Sequence, residues 1–445
     1  MKQFGVQTLM LIIALWFSNA AVGQSSLSLD DATTAAMQLN AKLQNASLGV
    51  SKAIAQKNEV RGTGLPQVTA SFDLKDYLKL PTSLIPAEFF GGQPGEYAEV
   101  QFGTQYNITT GINASQLLFS GEYIVALQAS QAYIQFAEQE QQKSKVEVIT
   151  AVQKAYFAAL ITEERFDILN ENLSRLESMK MEIEKMYDAG FVEKVDLDRI
   201  TVTYNNLVTE RNNIQKLLNL TYMSLNLQMG EELDTKWDLT ENLDDQLTRI
   251  GQTNLMEGHY SERADYQLLQ TGLRLAELDY KRYQYSKIPT IALYGSYNWQ
   301  AQRNELFGSS QKKWFPIGLI GFTINANLFT GLSQDYRSER AQLDVMTTSN
   351  NVNEMERAMS LEIQNAKITL ENSMNSIENQ KTNIELAQSI VDRTNIKFKA
   401  GTATSMEVIE AENALTEAQS NYINALYSAI LAKIDFDKAT GKIGQ

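Results

Sequence analysis

Glu407 and Glu410 stand three residues apart and so share one face of a helix, and Asp196, 211 residues before Glu407, holds the matching position earlier in the chain. Carboxylates grouped in this way attract cations or serve as solvated surface charge. Nothing in the sequence completes them into a catalytic set. His259 is the only histidine and there is no cysteine, so the imidazole and thiolate ligands of an ordinary transition-metal site are missing. His259 reads as a surface residue of a linker. No nucleophile, base and orienting group occur together, and one histidine removes most acid–base schemes. The chain does not read as an enzyme, and no cofactor is expected.

The elements that position these carboxylates are written twice. Phe119-Ser120-Gly121 closes an alternating run and opens a long helical stretch, and Phe329-Thr330-Gly331 repeats it 210 residues on. Ala189-Gly190 ends that helix and returns as Ala400-Gly401 at an offset of 211. A period this long is no solenoid unit; it marks a duplicated half folded twice into one body. Gly190 and Gly401 supply the left-handed conformation that ends a helix, and Gly121 and Gly331 mark strand-to-helix turns.

The strands show period 2. Between Gln101 and Gln116, Phe102, Tyr106, Ile108, Ile112 and Ala114 fall on one face, and Gln105, Asn107, Thr109, Asn113 and Ser115 on the other. Val68, Ala70, Phe72 and Leu74 alternate with Thr69, Ser71, Asp73 and Lys75 in the same way. A loop rich in proline and glycine (Pro81, Pro86, Gly91, Gly92, Pro94, Gly95) joins the two. In the second half Ile291, Leu293, Tyr297 and Trp299 alternate with Ala292, Ser296, Asn298 and Gln300. Ile320, Phe322, Ile324 and Leu328 alternate with Gly321, Thr323, Asn325 and Asn327. The outcome is two hairpins and four strands, each long enough to cross a hydrocarbon core when tilted. Tyr294, Tyr297, Trp299, Trp314 and Phe315 suit either interfacial girdles or ordinary strand packing.

The helices carry heptads. Val148, Val152, Ala155, Ala159, Thr162, Phe166, Leu169, Leu173, Leu176, Lys180, Ile183 and Tyr187 step by 4 and 3, and so does the series from Ile363 to Phe398. Adding 211 carries one register onto the other, the signature of knobs-into-holes coiled-coil packing. Each half is therefore one long helix beside two stacked shorter ones. The expected organisation is a signal peptide over 1–23 and a first repeat over 24–229. That repeat holds a helix from about 30 to 62, a hairpin at about 66–119, a long helix 121–188 and a helix 195–229. An acidic linker over 230–260, with Trp237, is expected to pack outside the helical cylinder at mid-height. The second repeat, 261–445, holds a helix to about 287, a hairpin at about 289–329, a long helix 331–398 and a helix 405–440.

Met1-Lys2, the apolar run Leu9 to Phe17 and the small residues Ala21-Val22-Gly23 make a secretory signal, too short to span a bilayer. Residue 24 is glutamine, so a lipid-bearing cysteine is excluded there. No later stretch is apolar and long enough for a transmembrane helix. The net charge of -14 argues against a nucleic-acid partner, whose phosphates require a basic footprint, and reads first as simple solubility.

Four strands with two open edges cannot lie in lipid, where each unpaired backbone group costs several kcal/mol. The barrel must be assembled from several chains, with eight strands from two copies or twelve from three. The polar faces suit a watery interior.

The signal peptide, the duplicated hairpin and long helix, the paired Phe-Ser-Gly and Phe-Thr-Gly turns, and the tip Ala400-Gly401-Thr402 followed by Glu407-Val408-Ile409-Glu410-Ala411 resemble the TolC family of outer-membrane efflux proteins. The resemblance covers essentially the whole mature chain. It implies a mainly α fold with a membrane β-barrel portion: a homotrimer whose 12-stranded barrel, four strands per chain, continues into a long α-helical coiled-coil tunnel across the periplasm. It implies location in the outer membrane of a Gram-negative bacterium. The implied role is the exit duct of a tripartite efflux or type I secretion system, partnered by a periplasmic adaptor (membrane fusion) protein and an inner-membrane transporter of the resistance-nodulation-division or ABC type. Asp196, Glu407 and Glu410 would line the periplasmic entrance as a threefold ring of carboxylates, and Gly190 and Gly401 would mark the tips that meet the adaptor. The family's basic latch residue two past the tip glycine is replaced by Ala403, leaving Lys194 or Arg199 as substitutes. The alternative is a periplasmic coiled-coil adaptor or structural protein without a pore.

Overall fold

The computed structural model describes residues 25–253, 255, 260–307 and 313–444. The expected signal peptide over 1–23 and the lone His259 lie outside the described residues. The chain forms two compact units, one of residues up to Gly49 with Glu138–Leu268 and Asn353–Gln445, the other of Val50–Ala137 and Leu269–Val352.

The second unit holds the sheet. Its strands are β2 (Gln67–Asp76), β5 (Tyr106–Phe119), β7 (Thr290–Arg303) and β8 (Phe315–Asn325), antiparallel and in that order. The register groups the side chains as the alternation predicts. Val68, Ala114, Gly295 and Ile320 form one row on the apolar face, and Ala70, Ile112, Tyr297 and Gly318 form the next. Thr69, Asn113 and Ser296 align on the opposite face, where Asn107 accepts a 3.0 Å hydrogen bond from the Gln300 amide. That polar row fails at β8, whose Phe315, Ile317 and Leu319 stand opposite Gln300, Asn298 and Ser296. Gly111 carries no Cβ because one would come within 2.5 Å of the Tyr297 carbonyl oxygen.

Three strand expectations change. Strand β5 begins at Tyr106, because Gly103 (φ +115) breaks the run and leaves Phe102 outside it. Gln101 belongs instead to β4 (Tyr97–Gln101), which pairs with β3 (Thr82–Pro86) to make a hairpin inside the presumed loop. Thr82 and Ile85 on one strand and Tyr97 and Val100 on the other are too few β-formers to stand out among the flanking prolines and glycines. Strand β8 ends at Asn325, so Leu328 lies beyond it.

The first unit is mainly helical. Seam residues Val148, Val152, Ala159 and Leu169 of α3 (Gly121–Asp188) are buried, as are Ala366, Leu370, Ile377, Ala387, Val391 and Phe398 of α7 (Ser333–Lys399). All but Ala159 and Leu169 fall in apolar clusters shared with α4 (Lys194–Met229) or α8 (Ser405–Ala439). Among the described residues no helix is long and apolar enough to cross a membrane.

The expected first helix is two, α1 (Leu29–Leu39) and α2 (Ala41–Thr63), broken at Asn40 with ψ +120. The Asn40 amide donates to the Gln228 carbonyl, and its side-chain oxygen accepts from the Lys42 N–H. Asn40 thereby caps the second helix and holds the end of α4, and such local side-chain bonds compete with continuation of the helix. The linker is also ordered in part. Trp237–Leu239 forms β6, parallel to β1 (Ser25–Leu27), and Leu243–Gly251 forms α5. Tyr156, fully buried, donates to the Leu27 carbonyl and accepts from the Glu241 N–H. The Trp237 indole donates to Asn226 at 2.6 Å.

Candidate functional site

The two hairpin tips of the first unit bring the sequence-selected carboxylates together. Gly190 (φ +77) and Gly401 (φ +72) end α3 and α7 in the left-handed conformation that other residues adopt only with strain. Their amides bond back to the Tyr187 and Phe398 carbonyls, and the next amides reach Met186 and Lys397, so both ends are Schellman turns. Phe191 follows the first glycine and is 78% exposed. Thr402 follows the second.

Asp196 and Glu407 occupy the same position in the two repeats, the third residue of a capping box. Glu407 accepts from the Thr404 N–H at 2.7 Å, and the Thr404 hydroxyl accepts from the Glu407 N–H. Asp196 accepts from the Glu193 N–H at 3.3 Å. These bonds answer the orphan amides of a helix start. The Thr404 backbone N–H and then its hydroxyl hold the exposed Glu407 carboxyl below the usual range. Asp196 has two further partners, the Ser405 hydroxyl and, at 3.7 Å, the Arg199 guanidinium. Glu410 is exposed one turn on. Asp196 and Glu407 thus also act in folding, beyond being free carboxylates on a helix face.

Of the proposed substitutes for a basic latch, Arg199 is engaged by Asp196, and Lys194 is exposed in the first turn of α4. Ala403 packs on an apolar cluster of Leu176, Met179, Ile183, Ile200, Phe398, Val408 and Ile409 drawn from both hairpins. A lysine or arginine there would have to leave that cluster to reach water. Sequence reasoning missed Ser405 and a buried polar group further along the same helices. Asn172, 1% exposed, donates to Gln419, and Arg175 lies 3.5 Å from the buried Glu412 carboxylate. Asn172, beside the apolar seam, was the available sign of this second link.

The two strand-to-helix glycines differ. A Cβ on Gly121 would stand 2.8 Å from the Tyr285 carbonyl oxygen of α6 (Ala264–Tyr285), so the site needs close backbone approach. Gly331 meets nothing within 4 Å but has φ +63. Leu332 follows at φ +64, which delays α7 until Ser333. Among the described residues no group of three or more histidine, cysteine, aspartate or glutamate side chains is placed to hold a metal ion.

The outer membrane efflux protein family matches residues 33–226 and 261–442. The chain belongs to that family. It is 20% identical over 348 residues to the outer membrane protein TolC of Vibrio cholerae serotype O1, covering 76% of this chain and 77% of that protein. The fold matches the outer membrane protein VceC of Vibrio cholerae (18% identity, TM-score 0.72, 93% of this chain and 96% of that one). It also matches the Campylobacter jejuni CmeC outer membrane channel (16% identity, TM-score 0.72, 93% and 85%). As an outer membrane efflux protein, the chain resides in the Gram-negative outer membrane and has the fold of outer membrane channels. The family gap at 227–260 is where β6 and α5 lie, so the match falls in two blocks flanking them.

Proposed function

We propose that the chain assembles as a homotrimer into the exit duct of a tripartite efflux or type I secretion system. The duct passively conducts cargo handed on by an inner-membrane transporter through a periplasmic adaptor. The observation that carries this reading is the open four-stranded sheet. Strands β2 and β8 each pair on one side only, and the apolar face of β2 is exposed at Val68, Phe72 and Leu74. Backbone edges left unpaired in lipid cost several kcal/mol per group, and joining β8 of one copy to β2 of the next removes them. Three copies, each supplying four strands, close a barrel wide enough for a watery lumen. Exposed apolar residues at heptad spacing on α7 (Leu361, Ile368) and α4 (Val195, Val202) supply a matching surface for the helical part.

In this arrangement residues 24–229 and 261–445 are the two repeats, and residues 230–260 lie between them. The tips at Gly190 and Gly401 meet the adaptor. Asp196, Glu407 and Glu410 of three copies surround the entrance and favour cations there. Planar-bilayer recording of the purified trimer tests the proposal. A small cation-selective conductance should lose selectivity and rise when Glu407→Ala and Glu410→Ala are combined; a protein that conducts in neither form refutes it.

A further inference from the structure

The helices that join the sheet keep its order. Lys57 of α2 donates to Gln131 of α3 at 2.6 Å, and the Tyr123 hydroxyl of α3 donates to the Arg61 carbonyl of α2. Glu122 of α3 pairs with Arg282 of α6 at 3.6 Å. Lys287, just past α6, pairs with Asp335 of α7 at 2.7 Å, and the Gln334 amide of α7 donates to the Ser286 hydroxyl. The run α2-α3-α6-α7 therefore keeps step with β2-β5-β7-β8, with α2 continuing from one open edge and α7 from the other. In a ring closed by joining β8 to β2, α7 of one copy lies beside α2 of the next. Because α2 runs toward the sheet and α7 away from it, the two are antiparallel.

The flank of α7 that would meet α2 is apolar and uncovered. Ala341 is buried, and Leu343, two residues on and so on the opposite side of the helix, is 55% exposed. Tyr336, one heptad back on the same side, is 65% exposed. Exposed apolar groups in a line along a helix mark a contact surface. The outer flank of α2 has the complementary shape. Ala53 is buried with Ile134 and Ala137 of α3, and Ala55, again two residues on, and Gly62, a heptad further, lie on the other side. A Cβ on Gly62 would meet nothing within 4 Å in its own chain, and its φ is not positive. Neither crowding nor a turn calls for glycine there, whereas close approach of a large neighbouring side chain does. The charges agree as well. With Gly62 opposite Tyr336 and Ala55 opposite Leu343, the exposed Glu59 falls opposite the exposed Arg340, and the exposed Lys52 falls within one turn of Asp344.

We propose that the Tyr336 and Leu343 flank of α7 packs on the outer flank of α2, over Ala55 and Gly62, in a second copy of this chain. The inference rests on the reading of the sheet as one third of a closed barrel.

The chain has no cysteine, so introduced thiols report alone. The Ala55→Cys, Leu343→Cys double variant, purified in detergent and treated with a bifunctional maleimide, should run as covalent dimers and trimers on a denaturing gel. Each single variant should remain monomeric. Linked species from Leu343→Cys alone would overturn the packing, because like flanks would then meet. Absence of linkage in a double variant whose native mass is trimeric would also overturn it and leave the barrel reading intact. A wild-type native mass other than three chains would defeat the barrel reading itself. As a second measure, the side chain of Gly62→Leu starts into open space in its own chain, yet it should lower the temperature at which the trimer dissociates on semi-native gels. Adding Tyr336→Ala should restore part of that loss. A dissociation temperature that Gly62→Leu leaves unchanged or raises refutes the packing.

Discussion

The Ser405 hydroxyl donates to the Asp196 carboxylate, tying the first turn of α8 to the first turn of α4 across the two repeats. Asp196 therefore does three things at once: it caps its own helix, pairs with Arg199 and links neighbouring hairpins.

Replacing Asp196 by alanine should loosen both tips, whereas replacing Glu407 should loosen one. Asp196→Ala also loses the hydrogen bond from Ser405, a charged one worth about 1.5 to 3 kcal/mol. Hydrogen exchange read by mass spectrometry should show faster exchange over 193–200 and 404–409 in Asp196→Ala, and over 404–409 only in Glu407→Ala. Identical patterns in the two variants would deny the cross-repeat link.

Acidification should fray the start of α8. The Glu407 carboxyl is held below its ordinary value by the Thr404 N–H and hydroxyl, so its contribution is full above the unfolded-state value and disappears as pH falls through the lowered one. Amide exchange at 405–408 should accelerate on descending through the carboxylate range. Glu407→Gln should abolish that pH dependence.

Arg263 is 6% exposed and forks onto Asp265 at 2.8 and 3.1 Å while its other nitrogen donates to Glu362 at 2.6 Å. Burial pushes the Asp265 carboxyl up, but the Arg263 hydrogen bonds and charge outweigh burial and hold it below its usual value. Arg263→Met should cost about 2 to 3 kcal/mol, less than the ~3–5 kcal/mol for breaking a fully buried pair, because the Glu362 side chain is 46% exposed. Wild-type stability from this pair is complete above the unfolded aspartate value and is lost as pH drops through the lowered one. Melting followed by circular dichroism should therefore show a steeper acid decline in wild type than in Arg263→Met.

Alanine should be less tolerated at Gly121 than at Gly331. The first change drives a methyl into the Tyr285 backbone, which must shift. The second adds about 1 to 2 kcal/mol of left-handed strain and meets open space. The yield of folded protein and its melting temperature should rank wild type, Gly331→Ala, then Gly121→Ala; the reverse order would contradict the close approach.

The long seams and the strand faces were legible because they obey fixed periods: Val152 to Val391 on the helices and Val68 to Ile320 on the sheet are set by repeat and parity alone. Gly190 and Gly401 were legible as helix stops because few residues take positive φ. What escaped depends on partners distant in sequence. The break at Asn40 needs Gln228, 188 residues away, to make it worthwhile. The role of Asp196 needs Ser405, and no local pattern joins them. The β3–β4 hairpin was hidden because Pro81, Pro86 and Gly91 signal a turn without saying how many. Gly121 and Gly331 looked equivalent in the repeat, yet one answers crowding and the other a dihedral angle.

Strand β1 pairs in register with β6, Ser25 beside Trp237, and the buried Tyr156 hydroxyl fastens Leu27. Synthesis runs from the amino end, so residues 25–27 are made more than two hundred residues before the strand they pair with. Closing so wide a loop is slow. A segment made early is thus among the last to find its place, and final locking of this unit waits for more than half the polypeptide.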